Sequence, residues 1–187
     1  AGFPGQVPAV TINRMCGSSQ QAVHFAAQAI LAGDMDIVVA GGTEVMSRLP
    51  IGGDWPEKWP DDFPYALVHQ GLSAEMIAAL WGLGREALDD YAYHSHLKAM
   101  HAIQQGFFAG QIVPVALPDG RSITQDEGVR MPPDRQKMAA LKTVFKEDGV
   151  VTAGNSSQIS DGSAALVLAS PEAVGRYNLL PRARLVA

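Results

Sequence analysis

Apolar residues fall in short β-branched blocks separated by longer stretches with helical spacing. Residues 8–13, with Val10, Thr11 and Ile12, predict a buried strand. The alanine- and glutamine-rich run 20–32 predicts a helix that opens at Gly17, Ser18 and Ser19 and closes at Gly33 and Asp34. The continuous apolar run 35–40 predicts a second strand. Gly41 and Gly42 allow close backbone approach, and with Thr43 and Glu44 they lead from that strand into a loop. Further on, residues 73–80 predict a short helix with Ser73 as N-cap, broken by Gly82 and Gly84. Residues 86–105 predict the longest helix, with Gly106 placed to cap it. A short strand at 111–115 is confined to an edge or a strand end by Pro114, and Asp119 with Gly120 predicts a turn. Residues 134–141 predict a short helix after Pro132 and Pro133. Residues 164–169 predict a buried strand, and Ser170 with Pro171 opens a final helix. Residues 182–187 read as a strand beginning.

Residues 48–64 interrupt this regularity with Pro50, Pro56, Pro60 and Pro64, together with Trp55, Trp59 and Phe63. The segment is too apolar for a solvated linker and reads as an irregular excursion over a surface. Its aromatics either pack the loop or line a ligand tunnel or subunit contact.

Composition narrows the class. The chain has 187 residues, 47% of them hydrophobic, and a net charge of −5. That is an ordinary globular profile with no basic run for nucleic acid or a membrane surface. No stretch has the roughly 18 apolar residues of a membrane span. A single cysteine excludes an intrachain disulfide and a cysteine-based zinc site, which suits a reducing cytoplasm. His94, His96 and His101 lack the i, i+4 spacing of a helical metal site, so no metal is expected. The chain starts at Ala1 without methionine, and both ends read as cuts through a longer protein.

The single cysteine, Cys16, stands where the first strand hands over to the helix. Unpaired N–H groups at a helix start favour a thiolate, and a tight strand-to-helix turn pushes its side chain out of the sheet. A small buried hydrophobe is the open alternative. His24, about 12 Å further along the helix axis, lies too far to act as a local base. The small polar residues 152–157 suggest backbone brought close to a ligand, with a plain structural turn equally open.

Several landmarks together resemble the thiolase family. Asn13-Arg-Met-Cys16-Gly-Ser-Ser with Ala40-Gly-Gly-Thr-Glu-Val-Met-Ser47 resembles its nucleophile region. His69-Gln-Gly-Leu-Ser-Ala-Glu75 is similar to its substrate-loop histidine segment. Gly106-Phe-Phe-Ala-Gly-Gln-Ile-Val-Pro-Val115, Asp126-Glu-Gly-Val-Arg130, Thr152-Ala-Gly-Asn-Ser-Ser157 and Asp161-Gly162 follow in order. The resemblance implies an α/β fold: a thiolase-like layered αβαβα N-terminal domain with an inserted loop domain, incomplete at both ends. The N-terminal domain would comprise residues 1–47 and 152–187, and the loop domain residues 48–151.

The implied reaction is acyl transfer between a 3-ketoacyl-CoA or acetyl-CoA and CoA through a cysteine acyl-enzyme, run as thiolytic cleavage or as Claisen condensation. Cys16 would be the nucleophile. His69, Arg130, Leu141, Ala153 and Ser157 would contact CoA, which serves as substrate, with no permanently bound cofactor. Gln158 stands where many relatives have glycine. The family's activating histidine, second cysteine and Asn-Glu-Ala-Phe segment belong to its C-terminal domain and are not in this chain, so the chain alone is expected to be inactive. A homodimer or homotetramer is implied, with no nucleic acid or membrane partner. The competing expectations are a non-catalytic CoA-ester-binding module, a split subunit needing a partner chain, and a related condensing enzyme of the ketoacyl synthase type. The loop domain matches favour thiolase over the last.

Overall fold

The computed structural model describes residues 2–53 and 55–186; expectations touching Ala1, Asp54 and Ala187 lie, at those positions, outside the described residues. The chain divides into two compact units, Ala1–Trp55 with Ile159–Ala187, and Pro56–Gln158.

In the first unit, helix α1 spans Ser18–Leu31 and strand β1 spans Ile37–Glu44. The helix stops as its glycine predicts. Gly33 takes φ 79°, its N–H donates to the Ile30 carbonyl, and the Asp34 N–H donates to the Ala29 carbonyl. Strand β1 pairs antiparallel with β4, Gly162–Ala169, in the register Ala40↔Leu166 and Gly42↔Ala164. Helix α1 covers the face carrying Val38, Ala40 and Gly42, and Ala26, Ala27 and Ala40 are buried there. Ser170 caps helix α5, Pro171–Arg176, by accepting from the Ala173 N–H at 3.1 Å. Ala173, in the first turn of that helix, is completely buried.

Four strand expectations are corrected. Residues 8–13 form no strand, and Val10 is exposed. A strand needs a neighbour for its backbone groups, and none of the described residues supplies one. Gly41, Gly42, Thr43 and Glu44 extend β1 instead of leaving it, because β4 pairs with all four. Strand β4 is exposed over most of its length, with Leu166 58% and Val167 67% accessible. Its continuous apolar run fits a sheet covered on both faces, and no described layer covers the face of Val39 and Val167. Residues 182–186 are irregular.

In the second unit, α2 spans Gln70–Trp81 and α3 spans Arg85–Gln104. Helix α2 starts three residues before the predicted Ser73 cap. His69 is the N-cap, its Nδ1 accepting from the Gly71 N–H at 3.1 Å, so Ser73 falls in the first turn. Helix α3 closes at Gly106, φ 69°, as its position predicts. The strand predicted at 111–115 shrinks to β2, Val115–Ala116, paired with β3, Ser122–Ile123, around the Asp119-Gly120 turn. Pro114, with no N–H to donate, sits directly before it.

Helix α4, Arg135–Ala139, is capped by Asp134, whose Oδ1 accepts from the Gln136 and Lys137 N–H groups at 2.9 and 3.1 Å. The Lys137 N–H bond, with that from Gln136, holds the Asp134 carboxyl below its ordinary value. Arg135 pairs with Asp90 of α3 and lies 3.9 Å over the Tyr93 ring. That guanidinium holds the Asp90 carboxyl low as well. The core of this unit is small: Gly71, Glu75 and Ala78 on α2, Met138 on α4, and Val151 and Thr152.

Candidate functional site

Cys16 occupies a single 3₁₀ turn, Met15–Gly17, that runs directly into α1. Local side chains build the turn. The Asn13 Oδ1 accepts from the Met15 N–H at 2.9 Å. The Ser18 Oγ accepts from the Arg14 N–H at 2.8 Å and donates to the Met15 carbonyl at 2.7 Å. The Arg14 guanidinium donates to the Gln21 Oε1 at 2.6 Å. Met15 is forced to φ 49°, a left-handed conformation costing about 1–2 kcal/mol for a residue with a Cβ. The Cys16 thiol is free and exposed, in the turn that leads into α1. The open choice between buried hydrophobe and presented thiol falls to the second.

Behind this turn lies Gly42. A Cβ there would run into the Ser19 hydroxyl, and one on Gly41 would sit 2.9 Å from the Ala164 carbonyl oxygen. The close approach expected of the paired glycines is therefore what lets α1 start flush against β1. Gly42→Ala is expected to push the start of α1 off the strand and to cost about 1–3 kcal/mol in overpacking. Thermal unfolding measures the cost, and a changed alkylation rate of Cys16 reports the displaced turn.

The other candidates all belong to the Pro56–Gln158 unit. His69 caps α2, and its ring lies 5.2 Å from that of Phe145. Phe145 rests on Gly71, where a Cβ would overlap its ring. The strand-like pairing of Thr143 with Thr152, and of the Val144 N–H with the Val151 carbonyl at 3.1 Å, aligns residues 143–145 with residues 150–152. Glu75, one helical turn beyond Gly71, is buried and accepts from the Val150 and Val151 N–H groups at 2.8–3.0 Å. Leu141 lies against Gly154, leaving no room there for a Cβ. Ala153 and Ser157 are exposed on the same loop.

Arg130 is exposed at the end of a turn in which the Asp126 Oδ1 accepts from the Gly128 N–H at 2.8 Å. Its backbone N–H donates to the His96 Nδ1 at 3.2 Å. Gln158, next to Ser157, donates to the Gly128 carbonyl and so ties the Arg130 turn to the 152–157 loop. Among the described residues the Arg130 guanidinium makes no ion pair. Leu141 thus lies against Gly154, within the loop that carries Ala153 and Ser157. His69 joins them through Phe145 and Glu75, and Arg130 through Gln158.

Two structural roles lie outside what residue spacing alone indicates, those of Glu75 and Asn155. The signal for Glu75 was a lone acid at the 71, 75, 78 spacing of a small-residue helix face, where a carboxylate needs an internal donor. Asn155 was visible only as part of a polar loop. Among the described residues no three His, Cys, Asp or Glu side chains gather as a metal site.

The model of the thiolase N-terminal domain matches residues 1–172. A steroid 3-ketoacyl-CoA thiolase of Mycobacterium tuberculosis is 40% identical over 99% of this chain and 48% of its own length. An acetyl-CoA acetyltransferase of Thiocystis violacea is 41% identical over 100% and 52%. The chain thus spans about half the length of these relatives. Among solved structures, the dimeric peroxisomal thiolase of Saccharomyces cerevisiae matches with a TM-score of 0.85 at 33% identity, covering 95% of this chain and 47% of that one. Human mitochondrial 3-ketoacyl-CoA thiolase, solved in complex with CoA, matches at 0.82 and 31%, covering 96% and 49%.

Proposed function

Because this chain belongs to the thiolase family, we propose that it carries the nucleophile and the CoA-contacting loops of an enzyme that exchanges acyl groups between 3-ketoacyl-CoA or acetyl-CoA and CoA. The observation that carries this reading is the Cys16 thiol, exposed in a strained turn at the start of α1.

In the cleavage direction the Cys16 thiolate attacks the 3-keto carbonyl. The bond between carbons 2 and 3 breaks, acetyl-CoA leaves with a proton added at carbon 2, and the shortened acyl group stays on sulfur. The thiol of free CoA then takes the acyl group and returns the cysteine. In condensation a second acetyl-CoA loses a proton from carbon 2, its carbanion attacks the acetyl group on Cys16, and the bond to sulfur breaks, releasing acetoacetyl-CoA and the cysteine thiolate. A thiol serves both halves, as nucleophile when ionised and as leaving group afterwards.

The loop domain, residues 48–151, with the adjoining 152–157 loop, supplies the CoA contacts. His69 lies near the pantetheine and thioester end, Ser157 along the pantetheine arm, and Arg130 toward the nucleotide end, where a guanidinium suits phosphate, with Leu141 and Ala153 as further CoA contacts. The CoA complex of the human relative supports CoA as substrate, and the dimeric yeast relative supports a homodimer as the assembled form, with a homotetramer the other proposed state. One free thiol suits the cytoplasm, and among the described residues no helix is long and apolar enough to cross a membrane.

Cys16 is the single cysteine, so the chain holds no second thiol to move the proton of condensation. One experiment tests the reading. The purified chain is treated with iodoacetamide and, separately, is assayed for thiolysis of acetoacetyl-CoA. Cys16 is expected to be alkylated faster than glutathione, and the chain to give no detectable thiolysis. A thiol no more reactive than glutathione would instead favour a CoA-ester-binding module without chemistry, and turnover would refute the need for further residues.

A further inference from the structure

One polar relay links both flanks of the CoA loops. The Asn155 amide uses every part of its head: Nδ2 donates to the Asp89 Oδ1 at 2.8 Å and to the Val150 carbonyl at 3.0 Å, and Oδ1 accepts from the Thr152 N–H at 2.8 Å. The second oxygen of Asp89 pairs with the Arg85 Nε at 2.7 Å, in a site where the two side chains are only 15% and 25% exposed. The Arg85 Nη2 in turn donates to the Met138 carbonyl at 2.6 Å, at the end of α4. At one end the relay fixes the loop between Ala153 and Ser157. At the other it fixes the end of α4, three residues ahead of Leu141.

We propose that Arg85, Asp89 and Asn155 are positioning residues for CoA, holding Leu141 at a set distance from Ala153 and Ser157. None of the three needs to touch the ligand. The inference rests on the CoA reading of those three contacts. A partly buried charged pair that shares a carboxylate with a neutral amide is sensitive to charge. Exchanging that amide for a carboxylate sets two anions face to face and removes the donor to Val150.

The test uses the whole chain with CoA as titrant in calorimetry, alongside amide hydrogen exchange over residues 150–157. Asn155→Asp is expected to weaken CoA binding by about tenfold or more and to speed exchange at Thr152. The alkylation rate of Cys16, which lies in the other unit, should stay unchanged, as general unfolding would not allow. The exchanged pair Asp89→Asn with Asn155→Asp restores an amide facing a carboxylate and is expected to recover affinity to within about threefold. It also keeps the proposal testable if the single variant folds poorly. CoA binding that Asn155→Asp leaves unchanged, or an exchanged pair no better than the single variant, overturns the relay. Absence of CoA binding by the unsubstituted chain overturns the CoA reading, and this inference with it.

Discussion

Glu75→Ala is expected to lower the stability of the chain by about 3 kcal/mol. The carboxylate accepts from two backbone N–H groups, those of Val150 and Val151. Its loss would leave both donors in a site where Val151 is only 6% exposed and Glu75 itself 7%. An orphaned buried donor costs about 1–3 kcal/mol, and the vacated side-chain volume adds to it. For a chain of this size that corresponds to a fall of about 6–12 °C in Tm. Glu75→Gln keeps one acceptor oxygen but turns an NH₂ toward the second N–H, so it should fall between the wild type and the alanine variant. Thermal unfolding followed by circular dichroism measures all three. An alanine variant as stable as the wild type would show that the loop is held by other contacts.

On the proposed function, Cys16→Ser in an active thiolase that includes this chain is expected to reduce acyl transfer by a factor on the order of 10⁴ or more, in keeping with the loss of a catalytic nucleophile elsewhere. The hydroxyl occupies nearly the same space, so the turn built by Asn13 and Ser18 should survive. What changes is the chemistry: an alkoxide is scarce at neutral pH, and an oxygen ester gives up its acyl group less readily than a thioester. Rates of acetoacetyl-CoA thiolysis, with CoA affinity measured in parallel, separate the two effects. Affinity within about twofold of the wild type with turnover lost is the expected pattern. Retained turnover would remove Cys16 from the mechanism.

Most helix ends were legible in the sequence because they are set within a few residues; the start of α2, capped by His69 and not Ser73, was the exception. Gly33 and Gly106 stop α1 and α3 where their positions require, and Ser170 caps α5. Strand limits were not. Residues 8–13 have the composition of a strand and lack a partner, while Thr43 and Glu44 look like loop and join β1 because β4 reaches them. The same division holds at the candidate site. The Cys16 turn could be inferred from Gly17, Ser18 and Ser19, all within one turn of the cysteine. The Glu75 clasp spans 75 positions and the Asn155–Asp89 bond spans 66, and no local pattern announces contacts of that range. Gln158 was visible as a departure from the family, but its bond to Gly128 had to be seen in three dimensions.

The two-stranded sheet also governs how the isolated chain behaves at high concentration. Each of β1 and β4 has one hydrogen-bonded neighbour among the described residues, so each leaves a row of backbone donors and acceptors open along its outer side. Beside those rows lies the uncovered apolar face of Ile37, Val39 and Val167. Open margins of this kind are where further strands, including those of a second copy, would be expected to add. The isolated chain is therefore expected to self-associate as its concentration rises, which light scattering over a dilution series measures.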